Sequence, residues 1–231
     1  MLVNIPSINL PQNWASIPIK ECGEALVLIE RSHKRMIQNP IYYNSGIKGA
    51  VQEMYIRETI LNKLQNVIDQ FPENYQLVLY DAYRSIEVQK NLYYTLREEI
   101  KSEFPEMSVE ELEKTTSTYL SFPTENDLTP SPHTTGGAID LTLAYKGREL
   151  DMGTGFDDFS EAAYTAYFEK PESNLSNQEM KIRNNRRLLY YAMIQAGFTN
   201  FPVEWWHYDY GNQYWAEYNS KEQAIYGRKE P

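Results

Sequence analysis

The sequence predicts an α+β fold, and three observations indicate it. Apolar residues recur at helical spacing between Met54 and Ile68, which is typical of an amphipathic helix. Residues 76–80, 137–144 and 203–210 have the composition of short β-strands. Because strands and helices do not alternate strictly along the chain, an α+β arrangement is favoured over a doubly wound parallel sheet.

The length and the proline positions predict how the chain is organised. With 231 residues, 42% of them hydrophobic, the chain can bury one sizeable core. We therefore expect residues 1–231 to form a single domain. Prolines interrupt any long helix within residues 1–50, so we expect this part to be an irregular N-terminal region packed on the domain: Pro6, Pro11, Pro18 and Pro40.

The charge and the cysteine count exclude several classes of partner. A formal net charge of −10 argues against binding to nucleic acid or to anionic lipid. No stretch approaches the ~20 apolar residues of a membrane span, and the first residues lack the features of a signal peptide. Cys22 is the single cysteine, so no intrachain disulfide can form. We expect a cytoplasmic protein without nucleic-acid or membrane partners, and the oligomeric state is left open.

The first half of the chain contains three predicted helices and one strand. The helix over residues 52–70 is closed by Phe71-Pro72, and the buried strand over residues 76–80 follows it. A second helix is predicted over residues 86–104. Ser108 and Glu111 have the spacing of a capping box, which predicts that a further short helix begins there.

The second half begins with a proline-containing loop over residues 121–133 and continues with the predicted strand over residues 137–144. A short helix is then predicted over residues 160–169. A stronger helix is predicted over residues 178–196, and Gly197 ends it. The last predicted strand of the central sheet covers residues 203–210.

His133 and Asp140 form the first candidate group of metal ligands. His133 lies in a loop, and Asp140 lies seven positions later in the predicted strand, among Ile and Leu. An ionised carboxylate in such surroundings is costly unless it is paired or coordinated. Gly136 and Gly137 suit a tight turn that would bring the two side chains together. A bound metal ion would satisfy the carboxylate.

His207 and Glu204 form the second group. On a regular strand these two residues would point to opposite faces, so we expect a bend or bulge near Trp205 that re-aims them. Two histidines and one carboxylate are a known ligand set for catalytic zinc, which leaves the fourth position for water. Considered together, His133, Asp140 and His207 therefore favour a zinc site.

Each feature alone also has a structural explanation. A single histidine is more often structural than a ligand, and Arg84, at the end of a strand, is most simply a surface ion-pair partner. Asp157 lies in an acidic cluster that would ordinarily be a solvated helix start, and His33 lies among charged residues. The residue types alone leave the roles of Arg84 and Asp157 open.

Three segments taken together resemble the zinc D-Ala-D-Ala peptidase family, which includes the D-alanyl-D-alanine dipeptidases of vancomycin resistance. They are Tyr83-Arg84-Ser85, Ser131-x-His133-x-x-Gly136-x-Ala138-x-Asp140 and Glu204-x-Trp206-His207, in the order found in the family. Residues 151–157 and 185–198 also resemble the dipeptidase branch. The resemblance implies a mainly antiparallel central sheet flanked by helices, as in the related hedgehog-type domains.

The resemblance implies a role for each matching position. His133, Asp140 and His207 would bind one Zn²⁺ per chain, Glu204 would be the general base, and Arg84 would lie over the scissile carbonyl. Ser131 and Asp157 would bind the substrate, with Asp157 near its free ammonium group. The chain departs from the family pattern at two positions, Ser85, where proline is common, and Pro132, next to His133.

The implied function is zinc-dependent hydrolysis of a small D,D-dipeptide, D-alanyl-D-alanine, to two D-alanines. One alternative is a D,D- or L,D-carboxypeptidase that acts on peptidoglycan stem peptides with the same zinc site. A second is a non-catalytic zinc-binding module, against which Glu204 and Arg84 count. A purely structural zinc domain would need a fourth ligand, and none is evident in the sequence.

Overall fold

A computed structural model describes residues 3–29 and 33–231. The helices and strands of the described residues are, in chain order, β1 (Leu26–Leu28), β2 (Met36–Gln38), α1 (Ile41–Asn44), β3 (Tyr55–Arg57), α2 (Glu58–Asp69), β4 (Tyr75–Asp81), α3 (Ile86–Glu103), α4 (Val109–Tyr119), β5 (Ala138–Tyr145), β6 (Arg148–Glu149), α5 (Asn177–Gln195), β7 (Thr199–Asn200), β8 (His207–Asp209) and α6 (Gln213–Tyr218). This is a mixed α+β architecture, as the sequence predicts.

The central sheet has the strand order β2-β4-β5-β8-β7, with β6 paired to β5. The β2–β4 pairing is parallel, and the other pairings of this sheet are antiparallel. The expectation of a mainly antiparallel sheet is therefore confirmed only in part. The parallel pair is possible because α1, β3 and α2 provide the long crossover that parallel neighbours require.

The core lies between this sheet and helices α2 and α5. All residues of β5 except the last are buried, so both of its faces are covered. The buried residues of α2 recur at helical spacing and belong to the same core as β4 and β5: Ile60, Leu61, Leu64, Val67 and Ile68. Burial of these apolar side chains fixes β4 and β5 at the centre of the molecule.

The predicted helix over residues 52–70 is wrong in its first turns. Tyr55–Arg57 is instead strand β3, which pairs antiparallel with Leu26–Leu28 in a separate two-stranded sheet. Ile56 is fully buried in that strand. Pairing with a distant segment therefore outweighs the local helical pattern, and α2 begins at Glu58.

The strong helical predictions are confirmed. Helix α3 begins after Ser85, whose Oγ accepts a hydrogen bond from the Val88 amide at 3.3 Å. The capping box of Ser108 and Glu111 is present at the start of α4. Helix α5 begins with a second capping box and ends within one residue of the predicted position.

Two later predictions are wrong. The predicted helix over residues 160–169 is reduced to a 3-10 turn, Glu161–Ala163. Of the predicted strand over residues 203–210, only His207–Asp209 pairs in the sheet, because the preceding residues form turns. The two segments contact each other, since the Trp205 amide donates a hydrogen bond to the Ala163 carbonyl at 3.1 Å.

The predicted irregular N-terminal region contains short elements, among them β1, β2 and α1. Its residues 1–2 and 30–32 lie outside the described part of the chain. Arg57, which is fully buried, connects this region to the rest of the protein. Its guanidinium group binds the Glu21 carboxylate and donates to the carbonyls of Thr135 and Gly227.

Within the residues that the structure describes, no helix combines the length and the apolar character needed to cross a membrane.

Candidate active site

The three predicted metal ligands come together at the centre of the sheet. Asp140 in β5 is paired directly with His207 in β8. His133 lies in a 3-10 turn, Pro132–Thr135, just before β5. Gly136 ends this turn with φ of 66°, a left-handed conformation that glycine adopts without strain. Strand register and one tight turn therefore place three side chains that are distant in sequence around one point.

The distances within this group are short. The Asp140 carboxylate lies 3.3 Å from His133 Nε2 and 3.0 Å from His207 Nδ1. The two imidazole nitrogens are 3.2 Å apart. The potential ligand atoms all lie within 4.8 Å of one another, and all three residues are buried. We refer to His133, Asp140 and His207 as the three-residue centre.

The far nitrogen of each imidazole faces an oxygen atom. His133 Nδ1 lies 2.6 Å from the Ala82 carbonyl and 3.3 Å from Asp81 Oδ2. His207 Nε2 lies 3.1 Å from Asp209 Oδ1, although the angle is not that of a hydrogen bond. Such outer oxygens orient a ligating histidine and determine which nitrogen carries the proton.

The donor set fits a divalent metal ion. When the outward nitrogens carry the protons, His133 Nε2 and His207 Nδ1 present lone pairs to each other at 3.2 Å, beside a carboxylate. Three acceptors this close and this buried would be satisfied by a shared cation. Two histidines and one carboxylate match the ligand sets of catalytic zinc sites. The residues present could therefore hold the metal.

The local charges shift the pKa values of the centre in opposite directions. Burial alone would raise the pKa of Asp140, but the two facing histidines hold it well below its usual value. Burial disfavours a charged His207, yet the carboxylates of Asp209 and Asp140 raise the pKa of His207 well above its usual value. The centre is thus arranged to stabilise positive charge.

Glu204 lies beside the three-residue centre because of a turn. The expected bend near Trp205 is confirmed, since Trp205 and Trp206 form a turn before β8 begins. Asn200 stabilises it, because its buried side-chain amide donates to the carbonyls of Glu204 and His207, each at 2.9 Å. Glu204 Oε2 lies 3.7 Å from His207 Nδ1. Burial raises the pKa of Glu204 to about 8.

Arg84 is buried, so it is not the surface ion-pair partner that its position at a strand end allows. Its Nε donates to Asp81 at 2.8 Å and its Nη1 donates to Gln89 at 2.9 Å. Its Nη2 donates to the Tyr42 hydroxyl at 3.3 Å and lies 3.7 Å from Asp140. These contacts direct the cationic group at the three-residue centre.

Ser131 and Asp157 both line the cavity in front of the three-residue centre. Ser131 is buried, and its hydroxyl donates to the Phe122 carbonyl at 3.2 Å. Asp157 has a left-handed backbone with φ of 57° and accepts a hydrogen bond from the Tyr42 hydroxyl at 3.3 Å. Burial raises the pKa of Asp157 to about 7, although Arg84 opposes the rise.

The cavity has a volume of about 480 Å³, part of which is open to solvent. The 3-10 turn with His133, the turn with Glu204, and the end of α4 with the residues after it form parts of its walls. Its lining includes all seven predicted site residues, which are Arg84, Ser131, His133, Asp140, Asp157, Glu204 and His207. By contrast, His33 lies away from the cavity, 3.0 Å from Asp69.

Sequence reasoning missed several residues that hold this site, among them Asp81, Asp209 and Asn200. A weak signal existed for Asp209, because it lies two positions after His207 and so shares its strand face. Asp81 ends the strand that leads to Arg84. The two departures from the family pattern are also accommodated, since Ser85 caps α3 and Pro132 begins the 3-10 turn.

A buried group of two imidazoles and one carboxylate, with a carboxyl group and a guanidinium group beside it in a cavity, is the arrangement of a metallopeptidase. A family model described as D-ala-D-ala dipeptidase, of peptidase family M15, matches residues 53–225. The chain belongs to this family.

Several similar proteins carry the name D-alanyl-D-alanine dipeptidase. A D-alanyl-D-alanine dipeptidase of Synechocystis sp. is 30% identical over 238 residues, which cover 94% of this chain and 96% of that protein. The D-alanyl-D-alanine dipeptidase of Escherichia coli is 32% identical over 136 residues, 58% of this chain and 54% of that protein. That of Enterococcus faecium is 38% identical over 81 residues, 34% of this chain and 36% of that protein.

Among solved structures, the LdcB LD-carboxypeptidase is similar over 75% of this chain and 69% of that chain, with 18% sequence identity. The TM-score of this comparison is 0.40.

Proposed function

We propose that this protein hydrolyses the dipeptide D-alanyl-D-alanine to two D-alanines with one zinc ion per chain. The observation that carries the proposal is the convergence of His133, Asp140 and His207 within 4.8 Å, in a cavity that Asp157 also lines. The dipeptidase names of the relatives support this choice of substrate.

The zinc ion would be held by His133 Nε2, His207 Nδ1 and the Asp140 carboxylate, which leaves a coordination position for solvent. When bound, zinc supplies Lewis-acid polarisation and lowers the pKa of a coordinated water to ~7. Ala82, Asp81 and Asp209 keep the two imidazoles in the orientation that this requires.

Glu204 is the proposed general base and acid. Its carboxyl group lies beside the three-residue centre, within reach of a water molecule there. A buried carboxyl group with a raised pKa is suited to accept a proton and to return it, here from the attacking water to the leaving amine. Because Asn200 holds both ends of the turn, Glu204 keeps its place during this transfer.

Arg84 is the proposed stabiliser of the developing oxyanion. Three hydrogen bonds fix its guanidinium group, so little reorganisation is needed as negative charge develops on the scissile carbonyl. Its position 3.7 Å from Asp140 keeps it next to the reacting atoms.

Ser131 and Asp157 are the proposed substrate-binding residues. Asp157 would bind the free ammonium group of the dipeptide, because it places a carboxylate on the cavity wall. Ser131 would bind the dipeptide through its hydroxyl group. A cavity that binds a free ammonium group close to the scissile bond favours a dipeptide, because in a longer peptide the ammonium group can lie further from that bond. The presence of Glu204 and Arg84 argues against a non-catalytic zinc-binding module, because such a module would not need a general base.

The proposal is tested with a panel of free and N-blocked D,D-, L,D- and L,L-dipeptides, with zinc content measured on the same samples. We expect release of D-alanine from free D-alanyl-D-alanine and little cleavage of acylated tripeptides. A preference for acylated peptides would support the carboxypeptidase alternative instead. Absence of all hydrolysis by the zinc-loaded protein would contradict an enzymatic role.

A further inference from the structure

We propose that Tyr42 is a positioning residue that holds Asp157 and Arg84 in one site and so makes the enzyme dependent on a free substrate ammonium group. This inference rests on the proposed function. Tyr42 lies in helix α1, Ile41–Asn44, outside the residues 53–225 that match the family model. It is buried and forms part of the cavity wall.

The hydroxyl group of Tyr42 bridges the two residues. It accepts a hydrogen bond from Arg84 Nη2 and donates one to Asp157 Oδ1, each at 3.3 Å. The direction is fixed, because a guanidinium group can only donate and an ionised carboxylate can only accept. The single hydroxyl proton of Tyr42 therefore points to Asp157.

The aromatic ring holds this hydroxyl group in place. The Arg84 guanidinium carbon lies 4.9 Å from the ring centroid, which is within the range of a cation–π contact. The Phe156 ring also lies 5.7 Å away, centroid to centroid. Since Phe156 directly precedes Asp157, Tyr42 contacts the Asp157 segment through both its ring and its hydroxyl group.

The consequence concerns the carboxylate that faces the substrate. Among the described residues, Asp157 accepts a side-chain hydrogen bond from Tyr42 and makes no ion pair within 4.0 Å. It is also held in a left-handed backbone conformation on a loop without regular structure. Without the Tyr42 hydroxyl, this carboxylate would lose the one side-chain hydrogen bond that orients it toward an ammonium group.

The test is the substitution Tyr42→Phe, which keeps both ring contacts and removes the hydroxyl group. A net hydrogen-bond contribution of about 0.7–1.4 kcal/mol corresponds to a ~3–10-fold effect. We expect KM for free D-alanyl-D-alanine to rise ~3–10-fold. We expect kcat to change less than ~2-fold, because Asp81 and Gln89 still hold Arg84. The preference for the free over the N-acetylated dipeptide should fall by the same factor, because the acetylated compound has no ammonium group.

Tyr43→Phe is the matched control, since Tyr43 is the next residue of the same helix, is 45% exposed and does not line this cavity. It should behave as the unsubstituted protein. Thermal unfolding of both variants separates positioning from loss of fold. A Tyr42→Phe variant that keeps its unfolding midpoint and its KM would overturn the inference, and so would equal losses on both dipeptides. If the unsubstituted protein does not cleave the free dipeptide, the proposed function fails and this inference fails with it.

Discussion

At the scale of single residues, His133 and His207 face the centre through different nitrogens. His133 uses Nε2 and keeps Nδ1 on the Ala82 carbonyl, whereas His207 uses Nδ1 and keeps Nε2 near Asp209. Each ring is therefore held from behind by an oxygen atom. This arrangement orients both lone pairs before a metal ion binds. Binding would therefore cost less side-chain conformational entropy.

The proposed role of Glu204 gives a direct prediction. Glu204→Gln keeps the size of the side chain but cannot transfer a proton. We expect kcat to fall ~10²–10⁴-fold, the usual contribution of a general acid–base group. Zinc content, measured by mass spectrometry of the purified protein, should stay at one per chain. Loss of zinc together with activity would show that Glu204 acts as a ligand.

Asp157 predicts a pH dependence of stability in protein treated with a chelator. Its pKa of about 7 lies above the usual 3.8, so the folded state retains this proton more strongly than the unfolded state. The stabilisation is complete below about pH 4 and is lost as the pH rises through about 7. Because Asp157 is partly exposed, we expect it to account for about 2 kcal/mol at most.

Denaturant unfolding between pH 4 and 8 measures this effect. In Asp157→Asn the decrease in the free energy of unfolding over this range should be smaller than in the unsubstituted protein. Identical pH profiles for the two proteins would mean that Asp157 titrates in the same way whether the chain is folded or unfolded.

The sequence predicts those site residues that stand in recognisable local motifs. It does not predict residues whose contacts form only in the folded chain. His133, Asp140, Glu204 and His207 stand in short motifs with unusual local chemistry, and the structure brings them together. Asn200 acts through backbone carbonyls that no motif reveals. Contacts that depend on the folded register are not visible in one sequence.

At the scale of elements, the regular parts were predictable and the irregular parts were not. Helices α3, α4 and α5 begin at capping residues. The predicted bounds of α3 and α5 and the predicted start of α4 are close to the observed ones. Strand β3 shows why a local pattern can fail, because its pairing with β1 replaces the first turns of a predicted helix. The metal-binding, catalytic and substrate-binding roles of all seven site residues remain predictions.

Helix α5 holds the loop that carries Asp157. The buried Arg186 donates to the carbonyls of Met152, Ala162 and Tyr164, each at 2.7 Å, on both sides of that loop. Among the described residues it has no carboxylate within ion-pair distance, and burial lowers its pKa to about 9. The role of this cation is therefore to satisfy the carbonyl groups of an irregular segment.

Arg186→Met should leave those three carbonyl groups without their donor. We expect the free energy of unfolding to fall by about 2–4 kcal/mol and amide hydrogen exchange to increase within residues 152–164. Lys181→Met, at an exposed position of the same helix, is the control and should change stability by less than about 0.5 kcal/mol. Equal effects of the two substitutions would contradict the role of Arg186.

At the scale of the whole molecule, segments from near both ends of the chain meet beside the turn that carries His133. Arg57 binds Glu21 from the N-terminal region, the Gly227 carbonyl from the C-terminal segment and the Thr135 carbonyl of the turn. Its guanidinium group also lies 4.7 Å from the ring centroid of Tyr226. One buried cation thus joins three parts of the chain that are far apart in sequence.

Arg57→Met should therefore destabilise the whole protein. We expect a loss of about 2–4 kcal/mol in the free energy of unfolding, because the carboxylate and carbonyl partners lose a buried cation. The comparison is Lys90→Met, which breaks the exposed ion pair with Glu125 and should cost less than about 1 kcal/mol. Denaturant unfolding of both variants measures the difference, and similar losses would contradict the account of Arg57.

The central claim is that one metal ion is held by His133, Asp140 and His207, and zinc content per chain tests it most directly. We predict one zinc per chain for the unsubstituted protein and for His33→Ala, whose histidine pairs with Asp69 away from the cavity. His207→Ala and His133→Ala, checked for folding by circular dichroism, should each bind far less than one. Folded variants of His133 and His207 that still bind one zinc per chain would contradict the claim.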